Sequence, residues 1–569
     1  MDAEVAHPAH LTSRIETTAS QWDETTDVVV IGFGAAGAVT AIEAADGGAD
    51  VVAVDRFGRG GASARSGGVI YAGGGTPQQQ AAGFADDPEQ MEHYLALEEG
   101  VPPDDPALRR FCERSAEDLA WLRNVGVDFP LGFDPEKSVV PTDDGTGLYF
   151  SGNEQHYATQ VVPAPRGHRV AGPGMTGRTL VAILHGAARR RGVQVRPRTR
   201  LLDLVVGDDG GVDGVELLEL RDDPLTRSAH TALYRAIDVA AVLLHRVPPA
   251  LTSALDTLER RRSRVRRIRA RRGVVLATGG FSFNHDLMRD LAPAYVAAMP
   301  LGTPGDDGSG LLAATRVGAS TRLMDRCGAS RFLAPPTAFC AGVLVDARAE
   351  RICDESLYAA TLSARIAEHG GVGWLIVDAP ARREARDQVR RADRLRSRPL
   401  GQLLSGQANH VVFPRLFGPV NLYANRVVAP TIEELAQKCA LPPAALRDTI
   451  DHYNGIAAAD RVDPMGKAKQ YVRPLTEGPF AAVRCHLDGV IFPAPCITLG
   501  GLDVVPEDQR VRGADGLPIR GLYAVGRCAA GIASRSYVSG LSLADCVHSG
   551  RNAGLALTHA VAPAVAASD

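Results

Sequence analysis

Nine cysteines are scattered through the 569 residues without one Cys-x-x-Cys pair or a Cys/His spacing suited to a metal. Their number is odd, so the sequence predicts buried free thiols in a reducing compartment, and no metal site. An excess of one charge is lacking too. Sixty-two basic against 66 acidic side chains leave a net charge of -4, which gives the molecule as a whole no electrostatic pull on nucleic acid. No run of about 18 uninterrupted apolar residues is present to span a bilayer. The stretch MDAEVAHPAHLTSRIETTAS carries early acids and no apolar core, so it does not read as a secretory signal. A cytoplasmic location is the default expectation.

What is present is an ordinary globular composition, 45% hydrophobic and 22% charged, on a chain long enough for a large core and more than one domain. The 60 glycines gather in short runs, as they do where backbone lies close to a phosphate-bearing ligand. Residues 1–24 read as a disordered or draped arm. Asp27–Ile31 (DVVVI) reads as a buried parallel strand running into Gly32-Phe33-Gly34-Ala35-Ala36-Gly37. An Ala-rich helix, Ala38 to Ala45, and a second strand, Val51–Val54, ending at Asp55, follow. Gly32 permits the tight turn, Gly34 admits a pyrophosphate and Gly37 lets helix and strand pack closely, while the helix N-terminus favours negative charge. Asp55 stands 23 residues beyond Gly32, where a carboxylate accepts from a ribose hydroxyl. Strand, turn, helix, strand and acid agree on a Rossmann-type dinucleotide unit.

Three more glycine-rich segments offer amide and hydroxyl donors. Arg59-Gly60-Gly61-Ala62-Ser63-Ala64-Arg65-Ser66-Gly67-Gly68 directly follows the acid. Val274–Gly280 (VVLATGG) reads as a buried strand ending in Thr-Gly-Gly. Gly521–Arg527 (GLYAVGR) precedes Ser539-Gly540-Leu541-Ser542-Leu543-Ala544 at the head of a final helix. Between them, 86–126 reads as helical, Leu180–Arg190 as a helix, and QVRPRTRLLDLVV and VDGVELLEL as strands. Residues 229–249 are largely apolar and precede Arg260–Arg262, Arg264, Arg266, Arg267, Arg269, Arg271 and Arg272. One expectation for this segment is an apolar helix beside an Arg-rich helix, making peripheral contact with an anionic membrane through 229–272. The preferred one is an insertion packed on its own domain, its arginines solvated.

In their order these four motifs resemble the fumarate reductase and 3-ketosteroid dehydrogenase flavoprotein superfamily. TIEELAQKCALPPAALRDTIDHYN (431–454) is similar to that superfamily's substrate-domain helices. The resemblance covers nearly the whole chain. It implies an α/β fold, a Rossmann-type FAD-binding domain with an inserted α+β catalytic domain. The FAD-binding parts would be 1–280, with a 224–270 insertion, and 486–569. The catalytic domain would be 281–485, and the active site would lie at the junction. FAD would be held non-covalently, since ASARSGG (62–68) offers no His for attachment. The implied cofactor contacts are Gly32, Gly34, Ala35, Ala36, Gly37, Asp55 and Arg56; Gly61, Ala62, Ser63, Ser66, Gly67 and Gly68; Ala277, Thr278, Gly279, Gly280 and Asn284; and Gly526, Arg527, Gly540, Ser542 and Leu543.

Within the superfamily, fumarate reductases bind a dicarboxylate with an Arg that follows an Asn-Glu sequence and a His just ahead of Thr-x-Gly-Gly. Here RICDESLYAATLS (351–363) places Ala359 near that Arg, and PCITLGGL (495–502) places Cys496 and Ile497 where the His would sit. Without those cations little offsets the desolvation of two carboxylates. Glu355 with Tyr358 resembles instead the Asn-Glu-x-x-Tyr of Δ4-(5α)-3-ketosteroid dehydrogenases, and Ser536-Tyr537-Val538-Ser539-Gly540 their Tyr-x-Ser-Gly. Tyr71–Thr76 and Gly280–Asn284 resemble that branch as well. Asp354 departs from its Asn, and Arg535-Ser536 stand where small residues are usual. The implied reaction is dehydrogenation of a 3-ketosteroid-like cyclic ketone, by α-proton abstraction and β-hydride transfer to flavin N5. Tyr358, Tyr537 and Ser539 would surround the reacting ring. A hydrophobic small-molecule substrate and an unidentified electron acceptor are the implied partners. The alternatives are the reverse reaction, an ene-reductase of an enone or unsaturated acid, and a non-catalytic flavoprotein electron carrier.

Overall fold

The computed structural model describes residues 22–102, 105–135, 145–334, 336–395, 419–489 and 494–559, so nearly all of the expected arm at 1–24 lies outside them. Strands β1 (Glu24–Ile31) and β2 (Val51–Asp55) flank helix α1 (Ala35–Asp46). Helices α2 (Pro88–Glu99) and α3 (Pro106–Asn124) fill the mixed-charge region, each started by an aspartate side chain accepting first-turn N–H groups. Then come α4 (Gly177–Arg190) and strands β3 (Gln194–Pro197), β4 (Thr199–Val206) and β5 (Val212–Leu220). Helices α5 (Pro224–Leu244) and α6 (Pro249–Arg262) lead into the long strand β6 (Ser263–Leu276).

Beyond β6 lie α7 (Ser309–Arg316), β7 (Val343–Val345), α8 (Ala359–Glu368), β8 (Trp374–Val377) and β9 (Arg426–Ala429). Helices α9 (Ile432–Lys438) and α10 (Pro443–Ala458) and strand β10 (Phe480–Arg484) follow. The chain closes with β11 (Arg510–Arg512), β12 (Pro518–Ala524) and α11 (Leu541–His559).

The main sheet runs β11-β12-β6-β1-β2-β3, with β12, β6, β1, β2 and β3 parallel, and β4 and β5 branch antiparallel from the outer half of β6. Strands from both ends of the chain are therefore neighbours. β1 is apolar throughout its inner half because both faces are covered: Val28 and Val30 pack under α1, Val29 and Ile31 against the opposite layer that includes α7. α11 lies against α1 at glycine separation, since a Cβ on Gly554 would fall 2.4 Å from Glu43 Cβ. The second sheet, β7-β8-β10-β9, is wholly antiparallel and carries α9 and α10 on one face. A Rossmann-type α/β fold with an inserted α+β unit is the architecture.

One expectation is corrected. Arg264–Arg272 do not form a helix; they lie on β6. The local pattern R-V-R-R-I-R-A-R-R buries Ile268 and Ala270 at period two, and the partner strand β5 supplies the matching acids, Glu216 to Arg267 at 2.9 Å and Glu219 to Arg264 at 2.7 Å. The apolar stretch before it forms α5, which packs with α6 on the segment after β2, while Arg264, Arg266, Arg267 and Arg271 are paired with acids and not merely solvated as expected. Among the described residues no helix is long and apolar enough to cross a membrane and no cluster could hold a metal. All nine cysteines are free and all but Cys327 are buried.

Candidate functional site

Where β1 ends, the chain turns at Gly32 (φ +97°), and a Cβ there would fall 2.4 Å from the Ala277 carbonyl oxygen. Only glycine lets β1 and β6 end side by side in this way. Gly37 is equally bare: its Cβ would lie 2.0 Å from Gly32 O. Above them opens a cleft. Gly32, Gly34, Ala35 and Ala36 line it at the N-terminus of α1, Asp55 and Arg56 at the end of β2, Gly61, Ala62 and Ser63 in the following loop, Ala277, Thr278 and Gly279 after β6, and Arg527 after β12. Asp55 accepts from Phe33 N and Phe57 N, both at 3.0 Å, and Ser63 Oγ accepts from Ala35 N at 3.1 Å. Acid and serine thereby brace the turn.

The other residues expected around the cofactor stand outside this cleft. Ser66 donates to Ser63 O at 2.8 Å and accepts from Gly68 N, and Gly67 O accepts from Thr176 Oγ1 at 3.1 Å, so these three form the back of the loop. Gly280 N donates to Asp306 Oδ1 at 3.3 Å. Asn284 caps the helix His285–Leu291 and donates to Asp307 O at 3.0 Å. Gly526 N donates to Ser549 Oγ at 3.0 Å. Gly540 lies against Tyr71, whose N–H donates to Gly540 O at 3.2 Å, and Ser542 and Leu543 continue from it into α11.

A second constellation gathers at the heads of α8 and α11. Tyr358 is the residue before α8, its N–H held by Asn153 Oδ1 at 2.6 Å, and its ring stacks on that of Tyr537 with centroids 6.1 Å apart and planes 15° from parallel. Tyr537 sits over Gly328, where a Cβ would be 2.7 Å from its ring. The Ser539 side chain lies beside Tyr358 and Tyr149, where its polarity offsets part of the effect of burial on both hydroxyls, and its carbonyl accepts from Ser151 Oγ at 3.1 Å. Burial pushes the hydroxyl pKa values of Tyr149, Tyr358 and Tyr537 up, so all three keep their protons at neutral pH. Nearby, Tyr71 donates to Glu154 at 3.2 Å, and burial raises that carboxyl to about 7. Glu355 is not part of the cluster. It accepts from Leu344 N at 2.8 Å and pairs with Arg351 at 2.9 Å and Lys467 at 2.7 Å, anchoring the turn that presents Tyr358.

A model for the FAD binding domain matches residues 27–541. The chain belongs to the FAD-binding domain family. It is 33% identical over 522 residues to the 3-oxo-5-alpha-steroid 4-dehydrogenase of Comamonas testosteroni, covering 89% of this chain and 93% of that one. The crystal structure of 3-ketosteroid-delta4-(5alpha)-dehydrogenase from Rhodococcus jostii RHA1 in complex with 4-androstene-3,17-dione superposes with a TM-score of 0.76 at 30% identity, over 95% of this chain and 99% of that one. A probable fumarate reductase of Shewanella frigidimarina is 26% identical over 547 residues, 93% of this chain and 74% of the relative.

As in its family, the cofactor of this FAD-binding chain is FAD, and the cleft suits it. Gly32 and Gly279 line it at points where a Cβ would clash, α1 points its N-terminus into it, and the Nη1 of Arg527 is buried there with no protein partner. Several lining residues escaped the sequence reading. Asp306, which pairs with Arg527, and Thr303 lie in GTPGDDGSG (302–310), a glycine-rich run before a helix that could have been read as a fifth motif. Tyr149 and Tyr234 carried no local signal. They reach their sites only through tertiary packing.

Proposed function

We propose that this chain is an FAD-dependent oxidoreductase acting on a CH–CH bond, removing hydrogen from a saturated carbon pair beside the ketone of a 3-ketosteroid-like substrate. The observation that carries this reading is the uncharged cluster of buried Tyr149, Tyr358 and Ser539 with half-buried Tyr537, the chemistry that a ketone and an acidic α-hydrogen require. A hydroxyl directed at the ketone oxygen stabilises the developing enolate without burying a charge. Ser539 and its tyrosine neighbours would guide the α-proton away from the carbon, and since each hydroxyl already holds its own proton they act as a relay that must deliver it to solvent. When bound, FAD supplies the acceptor for the β-hydride. The stacked pair Tyr358–Tyr537 excludes water and offers a flat apolar wall to a fused-ring substrate. We assign FAD contact to the cleft residues from Gly32 to Ala36, Asp55, Gly61 to Ser63, Ala277 to Gly279 and Arg527, and we read Gly540 and Ser542, beside the hydroxyl cluster, as facing the flavin ring.

A dicarboxylate substrate fits less well, with Ala359 and Cys496 standing where fumarate reductases hold cations. Peripheral membrane contact through 229–272 loses support because the β6 arginines are matched to acids. The test is product formation. Incubated with a saturated 5α-reduced 3-ketosteroid and an artificial electron acceptor, the holoenzyme is expected to yield the Δ4-enone. Turnover of fumarate with reduced acceptor, and none of the steroid, would replace this reading with the reductase.

A further inference from the structure

β5 and β6 are direct antiparallel neighbours, with Leu220 opposite Ser263 and Arg221 N donating to Arg262 O at 2.9 Å. A tight turn could join them. Instead the chain runs out through α5 and back through α6. On α5, Thr226, His230, Tyr234 and Ile237 recur at helical spacing and are buried, and what they cover is the segment after Asp55. Phe57 packs against the rings of His230 and Tyr234, at 5.4 and 4.8 Å. Three arginines of that segment are held by the hairpin. Arg56 forks onto Glu259 with two contacts of 2.9 Å, Arg59 lies over the Tyr234 ring at 5.1 Å, and Arg65 pairs with Asp238. Glu259 also binds His230 at 3.1 Å, tying α6 to α5.

This packing has a direction. Tyr234 lines the cleft beside Asp55, Thr199 and Arg200, and Asp55 occupies the ribose-binding position of a dinucleotide unit. The wall beyond it is where an adenine is placed, and an aromatic ring flanked by a guanidinium plane is a surface on which a purine stacks. We propose that the hairpin 221–262 forms the outer wall of the adenosine site, with Tyr234 a cofactor-binding residue. The arginine–carboxylate links at Glu259 and Asp238 are the clasp that parts before FAD leaves. The proposal rests on the FAD reading above.

Titration of the apoprotein with FAD, ADP and FMN separates the two readings, because FMN lacks the adenosine. Tyr234→Leu is expected to weaken FAD and ADP binding about tenfold, some 1.4 kcal/mol, and to leave FMN unchanged. Asp238→Asn, a gentler change, is expected to speed FAD release several-fold, followed by the fluorescence of freed flavin, without changing FMN release. Undiminished FAD binding and release in both variants, or an equal loss of FMN, overturns the wall while leaving the flavin reading intact. A wild-type apoprotein that takes up neither flavin overturns both.

Discussion

A tyrosine acts as a neutral donor only while it keeps its proton, and the surroundings of Tyr149, Tyr358 and Tyr537 ensure that by withholding water. Tyr537→Phe removes one hydroxyl from the cluster and nothing from the cleft. Turnover is expected to fall by about 10²-fold or more with the flavin spectrum unchanged; near-normal turnover would remove Tyr537 from the mechanism. Glu154 is the buried acid next door, raised to about 7 from an ordinary 4.5. Its folded form holds the proton more tightly than its unfolded form, so its contribution to stability declines as pH rises from about 4.5 to 7 and is flat above. Glu154→Gln is therefore expected to stabilise the fold by about 2–3 kcal/mol at pH 8 and by close to nothing at pH 4.5, read from urea unfolding at the two pH values. A variant no more stable than wild type at pH 8 would mean that the carboxylate is better compensated than its burial implies. Tyr358, Tyr537 and Ser539 were legible as candidates because the short stretches that hold them resemble motifs of the 3-ketosteroid branch. Tyr149 was not, since its partner Ser539 is brought to it from the far end of the chain.

At the scale of elements, the phosphate turn depends on how closely α11 can approach α1. Gly554→Ala adds a methyl 2.4 Å from Glu43 Cβ, an atom fixed to the backbone of α1 that cannot swing aside. The gain in helix propensity, about 1 kcal/mol, is outweighed by overpacking of about 1–3 kcal/mol. A net loss of stability is expected, with FAD affinity reduced because α1 shifts at the cradle; an unchanged urea midpoint would show that the two helices have slack. β6 teaches the complementary lesson. Its arginine run could be offered as a helix, the less favoured of two expectations, because a run of Arg satisfies either periodicity. The acids that commit it to a strand, Glu216 and Glu219, belong to a strand separated from it by the whole α5–α6 hairpin. Local pattern identified the βαβ unit, whose parts are contiguous, and failed where the deciding partner was remote.

For the molecule as a whole, one sheet joins β1, β6 and β12, so the cleft across their ends is lined by residues from as far apart in the chain as Gly32 and Arg527. That convergence was readable from the order of the glycine motifs. The buried polar frame that supports it, such as Arg551 with Glu43 and Asp118, was not, since no periodicity marks a buried ion pair. The central claim is that this sheet presents FAD to a chamber suited to a neutral ketone. Anaerobic mixing of the oxidised holoenzyme with a 5α-reduced 3-ketosteroid tests it most directly. The flavin absorbance is predicted to bleach in a single turnover, and the reduced enzyme to remain reduced when fumarate is added. Absorbance untouched by the steroid, with rapid reoxidation by fumarate, would contradict the account.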